Sequence, residues 1–311
     1  VPVSTAFRLW PMEEFTVRRG DRVGIVGESG SGKSTFLRLI AGLFDRANGA
    51  SKVLLRNTDG QMNSICHFGI RDRARKIQLV LQDTTGTLFG DQRVGENFKD
   101  IRRQSRVSRS AFDTRLREWA DRLRLTNAAN DIDELMRRQF DQFSIGQRRR
   151  LSLLRALLLF DTSSEDADKT DRVLLLDEMS RGLDATNRER LSDMLDEILD
   201  QHNIALISVS HDLQFLRSTC NIFRVMLNGA MLPRLLSKSD VDRLVTNGRI
   251  DDLKNPYYGE FFSQIESTRY PQLRADPGCL LEITAKCSVR SAEGCRHHNE
   301  LIKAGEVGIC G

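Results

Sequence analysis

The nine residues Gly27-Glu28-Ser29-Gly30-Ser31-Gly32-Lys33-Ser34-Thr35 constrain this chain more than any other stretch. They follow the apolar run Arg22-Val23-Gly24-Ile25-Val26 and lead into Phe36-Leu37-Arg38-Leu39-Ile40-Ala41. A buried strand, a glycine-rich turn and an amphipathic helix, in that order, form the setting of a phosphate-binding loop. Glycines let successive backbone N–H groups curl around an anion, and the helix N-terminus adds partial positive charge. Lys33 is placed to reach the β- and γ-phosphates of a nucleotide, and the Ser34 hydroxyl to ligate Mg²⁺. The stretch predicts binding of a nucleoside triphosphate.

The remaining pattern predicts an α/β fold around that loop. Val173-Leu174-Leu175-Leu176 is the continuous apolar run of a fully buried parallel strand, and it ends at Asp177-Glu178. Carboxylates at the end of such a strand lie beside the phosphate loop in this fold class, so Asp177 is a candidate for holding Mg²⁺ and Glu178 for polarising a water. Ile77 to Leu81 is a further apolar run ending at Gln82, and Ile204 to Val209 another, followed by His211. Residues 15–21 read as a strand and turn, and 53–55 and 64–68 as short strands of an antiparallel layer. Residues 92–159 are helical in pattern, with Phe112, Leu116, Trp119, Leu123 and Leu125 near a 3.6 period. Ser144 is a candidate N-cap for a helix from Gln147 to about Phe160, and 189–199 reads as another helix. Strands alternating with helices imply a mostly parallel sheet with helices on both faces. Regular alternation fades after Pro233, and Asn255-Pro256-Tyr257-Tyr258 marks entry to a tail.

Bulk properties exclude several classes. No apolar run approaches the roughly 20 residues that span a bilayer, and the N-terminus shows no signal-peptide pattern, so the expected compartment is the cytosol. Net charge is +4 with both signs interspersed. Arg102-Arg103 and Arg148-Arg149-Arg150 therefore read as solvated helix faces rather than as a nucleic-acid patch, and the acidic stretch 161–171 as an exposed loop.

The motifs taken in order resemble those of the ATP-binding cassette (ABC) ATPases. Gly27 to Thr35 is similar to Walker A, Gln82 to the Q-loop glutamine, and Phe143-Ser144-Ile145-Gly146-Gln147 to the signature motif. Val173 to Glu178 is similar to Walker B, Arg181-Gly182-Leu183-Asp184 to the D-loop, and His211 to the switch histidine. The resemblance covers about residues 3–235. It implies a P-loop ABC ATPase domain over 1–235, with an antiparallel β layer and a helical subdomain at about 92–159, and a separate extension over 236–311. It further implies ATP and Mg²⁺, the metal held by Ser34, Gln82 and Asp177. Two ATPase domains would pair head to tail, with Ser144, Gly146 and Gln147 completing the partner's nucleotide site and Asp184 bridging the interface. Glu178 would be the general base, His211 would contact the γ-phosphate, and Gln82 would sense Mg²⁺ and the membrane subunit.

Two departures bear on that expectation. Ile145 stands at the signature's usual first glycine: either it blocks close approach to the phosphate, which suggests a heterodimer with a paralogue and unequal sites, or the helix tolerates it. The family's adenine-stacking aromatic usually lies further upstream than Phe7 or Trp10, so it is either absent here or Phe7 substitutes.

Cys279, Cys287, Cys295 and Cys310 crowd the last 33 residues. The tail resembles that of ATPases from peptide and nickel importers, some of which carry an iron–sulfur cluster, and four thiolates suit a [4Fe-4S] site. Zinc is the main alternative, although no C-x₂₋₄-C pair is present, and unligated thiols or disulfides are the third reading. The resemblance thus implies the ATPase subunit of a bacterial importer of peptides or metal chelates, at the cytoplasmic face of the inner membrane. Its partners would be a second ATPase subunit, two transmembrane permeases docked near Gln82, Leu88 and Phe89, and a solute-binding protein, with no nucleic acid. The competing expectations are a soluble ABC ATPase acting on nucleic acid, ribosomes or cluster assembly, and a regulatory subunit of low activity.

Overall fold

The computed structural model describes residues 15–43, 53–56, 61–82, 91–104, 107–126, 132–160, 171–227, 229–232, 234–247, 258 and 261–262. The elements in chain order are β1 (Arg22–Val26), α1 (Lys33–Ile40), β2 (Leu54–Arg56), β3 (Met62–Ser64), α2 (Ile70–Lys76) and β4 (Ile77–Val80). Helices α3 (Val94–Gln104), α4 (Arg109–Arg122), α5 (Ile132–Arg137) and α6 (Ile145–Leu159) come next. They are followed by β5 (Val173–Asp177), α7 (Ala185–His202), β6 (Ala205–Val209) and α8 (Leu213–Thr219). The last elements are β7 (Ile222–Leu227), β8 (Ala230–Met231), β9 (Leu236–Ser237) and α9 (Lys238–Asn247). The described residues divide between two compact units, one within 16–24 and 34–220, the other within 1–15, 25–33 and 221–311.

In the larger unit β4, β5 and β6 lie side by side and parallel, with Leu79 opposite Leu175 and Leu175 opposite Ile207. Leu174, Leu175, Leu176, Leu206 and Val209 are wholly buried, which is why these strands read as largely apolar runs, interrupted only by the buried Gln78 and Ser208. Helices α3 to α6 pack on one another around Phe98, Phe112, Trp119, Leu135, Phe140 and Leu154, so the helical stretch expected at 92–159 is present over its described residues.

Local chemistry overrides the sequence pattern at three places. Residues 16–18 form no strand: Asp21 Oδ2 accepts from Arg18 N at 2.7 Å and Asp21 N donates to Arg18 O at 3.1 Å, a side-chain-closed turn that competes with a ladder. The antiparallel pair is β2 with β3, Leu55 opposite Asn63, but Ile65–His67 is a single 3₁₀ turn because Ile65 N is taken by Val53 O and Phe68 N by Ile65 O. Helix α6 starts at Ile145, directly after its Ser144 cap, two residues before the expected start.

In the smaller unit β7 pairs antiparallel with β8 and with β9, and α9 buries Val241 and Leu244. Regular structure therefore continues past Pro233. Strands of two residues are too short to show a period of two, so the pattern had faded there. Among the described residues no helix is long and apolar enough to cross a membrane. Phe7, Trp10, Leu88, Phe89, the stretch 161–170 and Cys279, Cys287, Cys295 and Cys310 lie outside the described residues.

Candidate functional site

The phosphate loop of the smaller unit is closed around its own lysine. Lys33 is buried, and its Nζ donates to Gly27 O at 2.8 Å, Glu28 O at 2.7 Å and Ser31 Oγ at 3.4 Å. Ser31 N donates to Glu28 O, and Ser31 O accepts from Gly229 N at 2.9 Å. A side chain at position 27 is sterically excluded, since a Cβ there would lie 2.1 Å from Met226 O. Gly32 has φ 101°, which only glycine adopts freely. Burial raises the Glu28 carboxyl pKa and Lys33 pulls it back down. Glu28 Oε1 is buried without a hydrogen-bond partner among the described residues.

The carboxylates cluster in the larger unit. Ser34 Oγ donates to Asp177 Oδ1 at 2.8 Å, joining the residue after Lys33 to the end of β5. Glu178 is held in the left-handed region at φ 54°, a strained conformation for a side chain of this size. Its backbone N donates to Val209 O at 2.9 Å, and its Oε2 accepts from Ser210 Oγ at 3.2 Å and lies 2.8 Å from His211 Nδ1. Ser180 Oγ and Ser210 Oγ are 3.3 Å apart, and both residues are buried. Ser180 and Ser210 carried no motif signal of their own; only the position of Ser210 just before His211 pointed to it.

Ser144 caps α6 with a reciprocal pair of bonds: Gln147 N donates to Ser144 Oγ at 3.3 Å, and Ser144 N donates to Gln147 Oε1 at 3.0 Å. Ile145 is 59% exposed, so its side chain is not recruited to the core. Gly146 has room beside it, a Cβ there meeting Leu183 at 3.5 Å. Asp184 is the N-cap of α7. Hydrogen bonds from the backbone and side chain of Asn187 hold its carboxyl below the usual carboxylate range. Gln82 is exposed and follows β4.

The arginine triplet is not a solvated face. Arg148 Nε donates to Phe143 O at 2.8 Å, Arg150 Nη1 to Leu123 O and Arg124 O, and Arg149, which is buried, donates to Met179 O at 2.6 Å. A guanidinium on a long apolar stem can reach carbonyls on neighbouring elements, which counting charges along a helix does not reveal. Among the described residues no group of three or more His, Cys, Asp or Glu is arranged to hold a metal.

The loop wrapped on Lys33 in one unit, and in the other the Ser34 hydroxyl bonded to the Asp177 that ends a parallel strand, are each features of P-loop nucleotide-binding proteins. The chain belongs to the ABC transporter family, whose description matches residues 13–180, more than half of the sequence. A Brucella abortus (strain 2308) protein, provisionally named a peptide import ATP-binding protein, is 28% identical over 229 residues, which cover 72% of this chain and 63% of that protein. A Lactococcus lactis dipeptide transport ATP-binding protein is 30% identical over 141 residues, covering 45% of this chain and 43% of that one. The chain thus spans less than two thirds of the length of these relatives. A solved ATP-binding cassette, described as dimeric in a post-hydrolysis state with ADP and Pi, has the same fold at TM-score 0.56 and 20% identity, over 74% of this chain and 95% of that chain.

Proposed function

We propose that this chain is the ATP-hydrolysing subunit of an ABC importer. The observation that carries the reading is the Glu178 carboxylate, anchored by one oxygen to Ser210 and His211 on a turn that directly follows the Ser34-bonded Asp177. Held by Ser210 and His211, the carboxylate is oriented to take a proton from a water attacking the γ-phosphate. The Ser34 hydroxyl and the Asp177 carboxylate are hard oxygen donors that fit Mg²⁺, with Gln82 as the further ligand. When bound, the ion neutralises charge on the β- and γ-phosphate oxygens. Lys33 and the loop from Gly27 to Thr35 cradle the phosphates, and His211 steers the γ-phosphate.

Two ATPase domains close head to tail on ATP, and Ser144, Gly146 and Gln147 of one complete the site of the other, with Asp184 at the interface. The dimeric form of the solved relative supports this arrangement. The exposed Ile145 favours a paralogous partner with an unequal second site, and a subunit of low activity is the reading to which it also lends weight. The relatives named for peptide import and dipeptide transport support di- or oligopeptides as cargo, with metal chelates as the other class. The ATPase domain over 1–235 acts at the cytoplasmic face of the membrane on two permease subunits fed by a solute-binding protein. In the extension over 236–311, Cys279, Cys287, Cys295 and Cys310 hold a [4Fe-4S] cluster, or zinc.

The test is Glu178→Gln. Steady-state ATP turnover should fall to background while ATP affinity is retained; turnover at the original rate removes Glu178 from its role. Iron, acid-labile sulfide and zinc content of anaerobically purified protein decides the tail, with loss of bound iron on Cys287→Ser expected.

A further inference from the structure

We infer that Arg149 is a positioning residue that ties the helix beginning at Ser144 to the turn carrying Glu178, so that displacement of one is felt by the other. The inference rests on the assignment of Glu178 as general base. Glu178 occupies a left-handed conformation that persists only if its surroundings over-determine it. Among the bonds that do so are Glu178 N to Val209 O, Ser210 Oγ to Glu178 Oε2, and Arg149 Nη1 to Met179 O at 2.6 Å. The first two come from β6 and the residue after it. The third comes from α6, the helix whose first residue follows the Ser144 cap.

The Met179 side chain is wholly buried, so the residue after Glu178 is held by packing through its side chain and by Arg149 through its carbonyl. Arg149 itself is only 6% exposed. A buried guanidinium is costly unless its donors and charge are used, and truncating it would strand Met179 O. Its charge is used on the same turn: burial lowers the guanidinium's pKa, while attraction to Glu178 opposes that shift and Arg181 adds to it. Lysine at 149 would keep a charge but lose the planar fork that reaches the carbonyl, and glutamine is shorter and neutral. In the proposed dimer Ser144 meets the partner's nucleotide, so the Arg149 bond makes the position of this chain's base sensitive to occupancy of the other site.

The experiment is made on the full chain, with steady-state ATP hydrolysis, ATP binding and ATP-driven dimerisation as readouts. Arg149→Gln and Arg149→Lys are made with Glu178 intact and with Glu178→Gln, and thermal midpoints identify the folded variants. If one Arg149 variant does not fold, the other carries the test. Positioning predicts a loss of about tenfold or more in kcat with KM for ATP nearly unchanged, the pattern of an interaction made only in the transition state. On the Glu178→Gln background, where turnover is already at background, it predicts that the Arg149 substitution leaves ATP affinity and ATP-driven dimerisation unchanged. Normal kcat in a folded Arg149 variant, or weakened ATP binding or dimerisation on the Glu178→Gln background, overturns the role of Arg149 alone. Full hydrolysis by Glu178→Gln overturns it together with the base assignment.

Discussion

Substitutions at Ser144 separate the two jobs placed on that residue, capping a helix and meeting a partner's phosphate. In Ser144→Ala the Gln147 N–H loses its acceptor at 3.3 Å, and Gln147 Oε1 keeps only its bond from Ser144 N at 3.0 Å. The site is exposed, so water replaces the lost bond and the cost is about 1 kcal/mol, within the usual range for a lost N-cap. At roughly 2–4 °C per kcal/mol for a chain of this size, the melting midpoint falls by a few degrees. Ser144→Asp behaves differently. Aspartate is an equally good cap, and its charge at a helix N-terminus adds about 0.3–1 kcal/mol, so the midpoint should match or exceed that of the original chain. The same charge placed about 4 Å from a γ-phosphate is repelled by up to about 4 kcal/mol at an effective dielectric constant near 20, roughly three orders of magnitude in an equilibrium constant. Calorimetry paired with ATP turnover reads both effects, and ATP-driven dimerisation on a Glu178→Gln background reads the second directly. Stable Ser144→Asp protein that turns over ATP normally would refute the phosphate contact and leave Ser144 as a cap. A midpoint as low as that of Ser144→Ala would refute the capping argument instead.

Two further perturbations follow from particular contacts. Gly27→Ala puts a methyl 2.1 Å from Met226 O, an overpacking cost of about 1–3 kcal/mol that the phosphate loop must absorb by shifting, so nucleotide affinity measured by calorimetry should weaken; an unchanged Kd would count against a loop held that tightly. Asp184 has its folded pKa depressed by the Asn187 bonds, so its contribution to stability is fully present above the ordinary carboxylate value near 4 and is lost as pH falls through the lower folded value. Urea midpoints taken between about pH 2 and 5 should therefore show a shallower acid loss in Asp184→Asn, and an identical slope would show that the Asn187 bonds do not hold the carboxylate.

Much of this protein was legible without coordinates because the relevant interactions are local. The phosphate loop is announced by its own glycines, Lys33 and the helix that follows, although the distant Met226 and Gly229 also hold it. Ser144 announces a helix start, and its capping box spans the four residues Ser144 to Gln147. The runs at 77–81, 173–176 and 204–209 are apolar apart from the buried Gln78 and Ser208 because β4, β5 and β6 are buried side by side. The strand expected to open the stretch 15–21 was not there, since Asp21 reaches back to Arg18 and a carboxylate near a turn outcompetes a weak strand propensity.

Sequence by itself determined the α/β class, the phosphate loop, the acidic pair Asp177-Glu178 and the order of motifs that places the chain in its family. Only the tertiary structure decided what surrounds Glu178. The parallel register sets Asp177 opposite Val209, so the residues that follow, Glu178 and Ser210, emerge from adjacent strand ends and their side chains meet. Likewise Arg149 finds Met179 across 30 residues because helix α6 lies against that turn. Which strands neighbour each other, and which carbonyl a long guanidinium reaches, are consequences of packing among distant segments, and no window along the chain contains both partners.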